Sequence, residues 1–289
     1  MTLEQLRIFV AVAEREHVTR AAEALNLTQS ATSAAIQALE RQYETKLFHR
    51  VGRGVALTEA GRTFLSEARA VLARAAAAEL ALSELAGLKR GSLAVQASQT
   101  IASYWLPPLL VRFRAAWPLV SLHVSVGNTA QVARAVLDGA AELGFVEGAV
   151  DEPLLASTTV AHDRLVIVVS PSHPWATHPP ASLADSAWVL REAGSGTRSE
   201  FELTLRRLGI DPAALDLTLE LPSNEAVRAA VEAGAGATAI SELVVAHALR
   251  AGRLVRTGPN LPPRTFHALR HRHRYHSHAA AALMAMAVG

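Results

Sequence analysis

The chain has 289 residues, half of them hydrophobic, a net charge of +2 and no cysteine. That length and apolar content supply enough core for two or three domains and exclude a disordered chain, while the missing cysteines exclude disulfides, zinc fingers and thiol chemistry. The N-terminus carries no basic-then-apolar leader and no apolar run reaches about 18 residues, so the sequence predicts a cytoplasmic protein rather than an exported or membrane-inserted one.

The first predicted element runs from Leu3 to Glu16, with apolar residues at Leu3, Leu6, Ile8, Phe9, Val10 and Val12 that mark a packing helix. Thr19 to Leu47 then reads as helix, tight turn and helix. Ala21, Ala22 and Ala24 allow close helix approach, Asn26 suits the left-handed turn, and Thr28 is a good N-cap for the second helix. In that helix, Gln29 to Glu40, Ala31, Ala35, Ile36 and Leu39 form the apolar stripe. Thr28, Gln29, Ser30, Thr32, Ser33 and Gln37 are thereby expected to face outward, towards phosphates and base edges. After Phe48, the glycines Gly52 and Gly54 permit a hairpin with Arg50 and Arg53 near its tip, a basic wing suited to backbone or minor-groove contact. Residues 1–62 hold eight Arg or Lys against seven Glu, so DNA binding must rest on where charge is placed rather than on a uniformly basic domain.

The strings RAAEALNLTQSATSAAIQALE, LFHR and LTEAGRTFL resemble the N-terminal domain of LysR-type transcriptional regulators, and the likeness continues through the rest of the chain. In many members the position of Ala34 is basic, which here shifts expected base reading to Gln29, Ser30, Ser33 and Gln37. The organisation that follows is a winged helix-turn-helix domain at 1–57, a linker helix and hinge at 58–90, and an effector-binding domain at 91–289.

From Thr58 to about Leu88 the chain is alanine-rich and free of proline, which predicts one helix of about 30 residues. Phe64, Ala68, Val71, Ala75, Ala78, Leu82 and Leu85 alternate spacings of four and three, the seam of a two-stranded coiled coil. Such a seam predicts a homodimer, able to assemble further into a tetramer, whose two reading heads meet an imperfect inverted repeat in promoter DNA. Lys89 to Ser92 is the expected hinge.

Beyond it, short apolar runs at 93–98, 121–126, 141–146, 164–169, 187–190, 217–221 and 237–240 alternate with helical patterns, which predicts an α/β domain with a parallel sheet. Composition alone suits a Rossmann-type enzyme equally well, yet the chain has no GxGxxG after a strand, no P-loop and no GxSxG. The family resemblance implies two lobes joined by crossing strands, similar to periplasmic binding proteins.

Three strand-to-helix junctions supply the candidate effector site: Ser98, Gln99 and Thr100; Asn128 and Thr129 after Gly127; and Ser195, Gly196, Thr197 and Arg198. Each sets backbone N–H groups at a helix N-terminus beside hydroxyl or amide groups, and Arg198 adds charge, which together make an anion receptor. Glu147 is counted among the effector-binding residues, but an acid opposes an anion unless paired, so its role is open between lining the cleft and partnering Arg198 or capping a turn. The strings ASQTI, GNT, GFVEG and REAGSGTR resemble the branch of the family that controls sulfur assimilation and carbon fixation. The resemblance implies a small anionic effector, sulfate or sulfite ahead of a phosphorylated or carboxylate metabolite.

The tail holds His271, His273, His276 and His278, which read as solvent-facing cations rather than a metal site, and Met284 and Met286 read as helix packing. Residues 258–263 form a proline-rich loop. No cofactor and no catalytic step is expected. The sequence therefore predicts a ligand-responsive DNA-binding regulator. An α/β enzyme or solute-binding protein with an unrelated helical N-terminus is the alternative, and it lacks both a catalytic constellation and an export signal.

Overall fold

The computed structural model describes residues 1–52, 54–85 and 91–288. The chain divides into two compact units, Met1–Leu88 with Leu137–Ala140, and Lys89–Val136 with Ala141–Gly289. Among the described residues no helix is long and apolar enough to cross a membrane.

The first unit contains helices α1 (Leu3–Arg15), α2 (Val18–Ala24) and α3 (Gln29–Gln42), the hairpin β1 (Phe48–Val51) and β2 (Gly54–Leu57), and the long helix α4 (Glu59–Leu85). Thr2 opens α1 with a reciprocal cap in which its side chain accepts from Gln5 N and the Gln5 side chain accepts from Thr2 N. Helix α1 buries Leu6, Ile8, Phe9, Ala11, Val12 and Ala13 but leaves Leu3 exposed. Phe9 is fully buried and lies 5.3 Å from the Phe48 ring and 4.8 Å from the Phe64 ring, so one aromatic cluster fixes the wing and the start of α4 on α1.

Helix α4 departs from its expected seam. Ala68 is 1% exposed and, with Phe64, Leu65 and Leu72, packs into the unit's own core. The start of the stripe is thus used internally, whereas Val71 and Leu82 remain exposed at 42% and 69%. Arg53, the Lys89–Arg90 part of the expected hinge and the Leu85 side chain lie outside the described residues. Gly91 and Ser92 belong to the first strand of the second unit.

That unit is a two-lobed α/β domain. In the first lobe β3 (Gly91–Ser98) lies between β4 (Val120–Gly127) and β5 (Leu143–Glu147), parallel to both. Helices α5 (Leu106–Ala116), α6 (Thr129–Asp138) and α10 (His278–Val288) belong to this lobe, and a π-helical turn, Ile101–Trp105, leads into α5. The core joins Val95, Ala97, Phe113 and Phe145 to Ala280 and Leu283 of α10.

Two antiparallel strands, β6 (Leu155–Val169) and β11 (Pro263–His271), connect the lobes. β11 pairs β5 in the first lobe, and β6 pairs β11 from Leu155 to Arg164. The remainder of β6 pairs β9 (Thr238–Ser241) and β10 (Val255–Thr257) in the second lobe. That lobe also holds β7 (Ala187–Arg191), parallel to β8 (Asp216–Leu221), and helices α7 (Gly196–Arg207), α8 (Asn224–Glu232) and α9 (Glu242–Arg250). Trp188 is fully buried there, its indole N–H donating to Leu183 O at 2.8 Å and its ring 4.9 Å from Phe201. The crossing strands are longer than the sequence pattern indicates, because 155–163 and 263–271 mix polar and charged residues with apolar ones.

Candidate functional sites

The DNA-facing candidate is α3. Asn26 adopts φ +53° before it, and the Thr28 side chain accepts from Ala31 N at 3.1 Å. Thr28, Gln29, Ser30 and Gln37 are exposed, Ser33 is half-buried, and the Gln29 amide donates to Ser33 Oγ at 3.1 Å. Thr32 departs from the expected outward face. It is fully buried because its hydroxyl donates to Thr28 O one turn back, 3.1 Å away, which satisfies the polar atom inside the helix. Ala31 takes the exposed place instead.

Glu40, on the opposite side of α3, positions the wing, a role that sequence pattern alone does not signal. It is 7% exposed, and its Oε1 accepts from Leu47 N at 2.9 Å and Phe48 N at 3.2 Å while Lys46 Nζ lies 2.7 Å from Oε2. Burial pushes the Glu40 pKa up, but the Lys46 ammonium and these two amides more than offset it, holding the carboxyl below the usual range. Arg50 is exposed on β1, and Gly52 turns the hairpin at φ +57°.

The second site lies where the lobes of the effector domain meet. Thr100, fully buried, accepts at Oγ1 from Asn224 Nδ2 at 3.0 Å, so first-lobe and second-lobe residues share a hydrogen bond. Gln99 extends the seam: its Oε1 accepts from Asn224 N at 2.9 Å and its Nε2 donates to Pro222 O at 2.9 Å. Asn128 Nδ2 donates to Glu192 Oε1 at 3.3 Å. Ala130 N, in the first turn of α6, donates to Gly194 O at 3.3 Å, and Gln131 N donates to Asn128 Oδ1 at 3.0 Å. Helix α6 therefore offers fewer free amides than its junction suggests, because the chain caps them itself.

Ser195, Gly196 and Thr197 are buried at the start of α7, and no side chain caps that helix. A Cβ on Gly196 would meet the Thr129 hydroxyl and lie 2.8 Å from Glu147 O, so only glycine lets α7 come this close. Thr129 Oγ1 lies 3.5 Å from both Glu147 O and Glu147 Oε2. Glu147, 3% exposed, thus meets Thr129 rather than Arg198. Ser98 is 2% exposed at the end of β3, and its hydroxyl has no partner among the described residues.

Arg198 departs from its expected role as the charge on the effector. Its Nε donates to Glu202 Oε1 at 2.8 Å, and its Nη1 donates to Arg191 O at 3.1 Å and to the Glu220 carboxylate. Two carboxylates and a carbonyl engage its Nε and Nη1. The cation that faces the lobe junction is Arg191, 4% exposed, the first residue of the REAGSGTR string but not one of the site residues expected from it. Its Nε and Nη2 hold Glu192 at 2.7 and 2.8 Å, and its Nη1 donates to Asn224 Oδ1 at 2.8 Å.

A winged helix-turn-helix unit followed by a two-lobed receptor domain, with a polar seam between the lobes, defines a ligand-responsive DNA-binding transcriptional regulator. The chain belongs to the LysR family: residues 3–62 match the bacterial regulatory helix-turn-helix protein, lysR family, and residues 86–289 match the LysR substrate binding domain. It is 36% identical over 276 residues to the uncharacterized HTH-type transcriptional regulator YeiE of Escherichia coli (strain K12), covering 94% of this chain and 92% of that protein. It is 35% identical over 254 residues to a probable RuBisCO transcriptional regulator of Cyanidioschyzon merolae, covering 86% of this chain and 84% of the relative. This second likeness supports the carbon-fixation branch of the family. The fold matches full-length CbnR complexed with its target DNA at a TM-score of 0.68 and 22% identity, covering 100% of this chain and 99% of that one.

Proposed function

We propose that this regulator acts in the cytoplasm as a homodimer, pairing further into a tetramer, on an imperfect inverted repeat in promoter DNA. Residues 1–57 read the DNA, 58–90 dimerise, and 91–289 receive a small anionic effector between the lobes, sulfate or sulfite ahead of phosphorylated metabolites. Gln29, Ser30, Ser33 and Gln37 read bases, Thr28 closes the helix against the backbone, and Arg50 and Arg53 contact phosphates or the minor groove. CbnR, which shares the fold, is known in complex with its target DNA. The exposed Val71 and Leu82 on α4 support a partner helix.

One observation carries the effector reading: the lobes meet through hydroxyl and amide side chains, and the buried Ser98 hydroxyl next to them in the chain has no partner among the described residues. Buried polar groups are nearly always satisfied, so an unpaired hydroxyl directly before the seam residues Gln99 and Thr100 marks a place for a hydrogen-bonding ligand. Effector binding then favours one lobe arrangement, and dimer spacing and DNA bend follow as a population shift. The proposal is tested by binding the protein to the duplex upstream of its own gene with and without sulfate, sulfite, phosphate and small carboxylates. An anion in the cleft changes the affinity or the footprint, and no change with any of them overturns the anionic effector.

A further inference from the structure

We propose that the Glu192 carboxylate is a resident anion in the interlobe cleft, and that an effector oxyanion binds by replacing it on Arg191 and Asn128. The inference rests on reading the cleft as an anion receptor, and it identifies the groups that take the charge.

The Glu192 carboxylate sits in a three-donor cradle made by both lobes. Arg191 Nε and Nη2 contribute from the second lobe at 2.7 and 2.8 Å, and Asn128 Nδ2 contributes from the first at 3.3 Å. The Nε and Nη2 edge of a guanidinium is the fork that receives a carboxylate, sulfate or phosphate through two parallel hydrogen bonds. Its position does not depend on Glu192, because Nη1 is anchored to Asn224 Oδ1 at 2.8 Å and Asn224 is 1% exposed. The cradle therefore persists when its occupant leaves.

The occupant is the more exposed partner of the pair. The Arg191 side chain is 4% exposed and that of Glu192 is 24% exposed, so Glu192 covers the guanidinium on its solvent side. It lies in the short loop between β7 and α7, two residues before Gly194, whose φ of +86° is a turn conformation that favours glycine. Burial pushes the Glu192 pKa up, but the hydrogen bonds and charge of Arg191, a backbone amide and Asn128 outweigh it. The group is accordingly an ionised carboxylate at neutral pH. Arg198, by contrast, already gives its Nε and Nη1 to Glu202, Glu220 and a carbonyl, all on second-lobe elements.

Exchange explains how a cleft that also contains Glu147 selects anions. A neutral hydroxylic ligand cannot replace a carboxylate on a buried guanidinium without leaving that charge uncompensated, whereas an oxyanion preserves the charge balance and releases Glu192 to water. Because the cradle takes donors from both lobes, the replacing anion inherits contacts to each and fixes their relation.

The test is titration of the full-length protein with sodium sulfate, sodium phosphate and sodium glycolate, read by thermal shift and calorimetry, with sodium chloride at matched ionic strength as the blank. Glu192→Gln removes the competing charge and should respond at about tenfold lower anion concentration, the change that one charge-assisted hydrogen bond released to the ligand is worth. Arg191→Lys loses the fork and should lose the response, and its urea midpoint shows whether the domain still folds. If anions bind the wild type and Glu192→Gln needs the same or more of them, Glu192 is a fixed structural counter-ion and the exchange is overturned while the anion receptor stands. If none of these anions binds the wild type or Glu192→Gln above the chloride blank, both readings fail.

Discussion

Asp163 and Arg264 face each other across β6 and β11 and form a buried ion pair, with side chains 2% and 1% exposed and Arg264 Nη2 2.7 Å from Asp163 Oδ2. The pair lies at the end of the β6–β11 ladder, just before β6 turns to pairing with β9 and β10. It also holds the second lobe: Arg264 Nη1 donates to Thr197 Oγ1 at 3.2 Å in the first turn of α7, and Ser241 Oγ donates to Asp163 Oδ1 at 3.0 Å. The crossing strands, the start of α7 and the cap of α9 thus meet in one buried network.

Removing one partner leaves the other charge buried without compensation. Asp163→Asn or Arg264→Met is expected to destabilise the effector domain by about 3–5 kcal/mol, whereas the double change Asp163→Leu with Arg264→Met should cost much less. Urea unfolding monitored by tryptophan fluorescence checks this, and equal losses for single and double variants refute it.

Glu40 sets the acid limit of the winged domain. Its folded pKa is depressed, so its contribution to stability is fully present above the unfolded value near 4.5 and is lost as pH falls through the lower folded value. Glu40→Gln should lower stability at pH 7 by about 1.5–3 kcal/mol, for the charged hydrogen bonds to Leu47, Phe48 and Lys46, and flatten the decline below pH 4.5. Unfolding of residues 1–85 followed by amide exchange at a series of pH values reads both effects, and a variant with an unchanged acid profile contradicts the assignment.

The recognition helix was legible because its cap, turn residue and apolar spacing agree locally. Thr32 was misread because a hydroxyl counts as polar in any pattern, while inside a helix the carbonyl one turn back satisfies it. The early part of the α4 seam was misread because small apolar residues serve a partner helix and a domain core equally well, and Ala68 went to the core. Crossing strands were implied by the family resemblance, but the apolar pattern marked only 164–169 of them, because Arg264 and Asp163 occupy inward positions that such a pattern reserves for apolar residues. Arg191, Glu192 and Asn224 escaped notice for another reason: Arg191 and Asn224 are 33 residues apart, and only folding brings them together.

Base reading and backbone contact separate in salt dependence. Ser33→Ala or Gln37→Ala should change preference among operator variants by about 1 kcal/mol or more with little effect on the salt slope. Arg50→Ala should weaken all sequences alike and reduce that slope by about one unit. Fluorescence anisotropy across a salt series distinguishes them, and an unaltered preference in both helix variants removes α3 as the reader.

The exposed end of α4 is expected to hold the dimer. Glu placed at Val71 and Leu82 puts like charges against a facing helix, so sedimentation should show smaller species and footprints should vanish. Substituting these positions spares the Phe64 and Ala68 part of the stripe, so the winged domain keeps its own core. An intact oligomer that still protects DNA would move the dimer contact elsewhere.

Thr100 gives the sharpest test of the cleft. Its Oγ1 spends one lone pair on Asn224 Nδ2, which leaves its hydroxyl proton available to a bound anion. Thr100→Val keeps the shape but removes both the proton and the acceptor, and should weaken anion binding by about 1.5–3 kcal/mol. It also strands the Asn224 amide, costing about 1–3 kcal/mol of stability, so the loss of binding must be compared with the loss of fold. Thr100→Ser separates the two, because it restores the hydroxyl without the methyl group and should recover most of the binding. Melting temperature against the logarithm of sulfate or sulfite concentration, corrected for chloride, supplies the comparison. A Thr100→Val protein that responds as the wild type does would show that the anion sits elsewhere, and a Thr100→Ser protein as weak as Thr100→Val would show that packing, not the hydroxyl, decides the site.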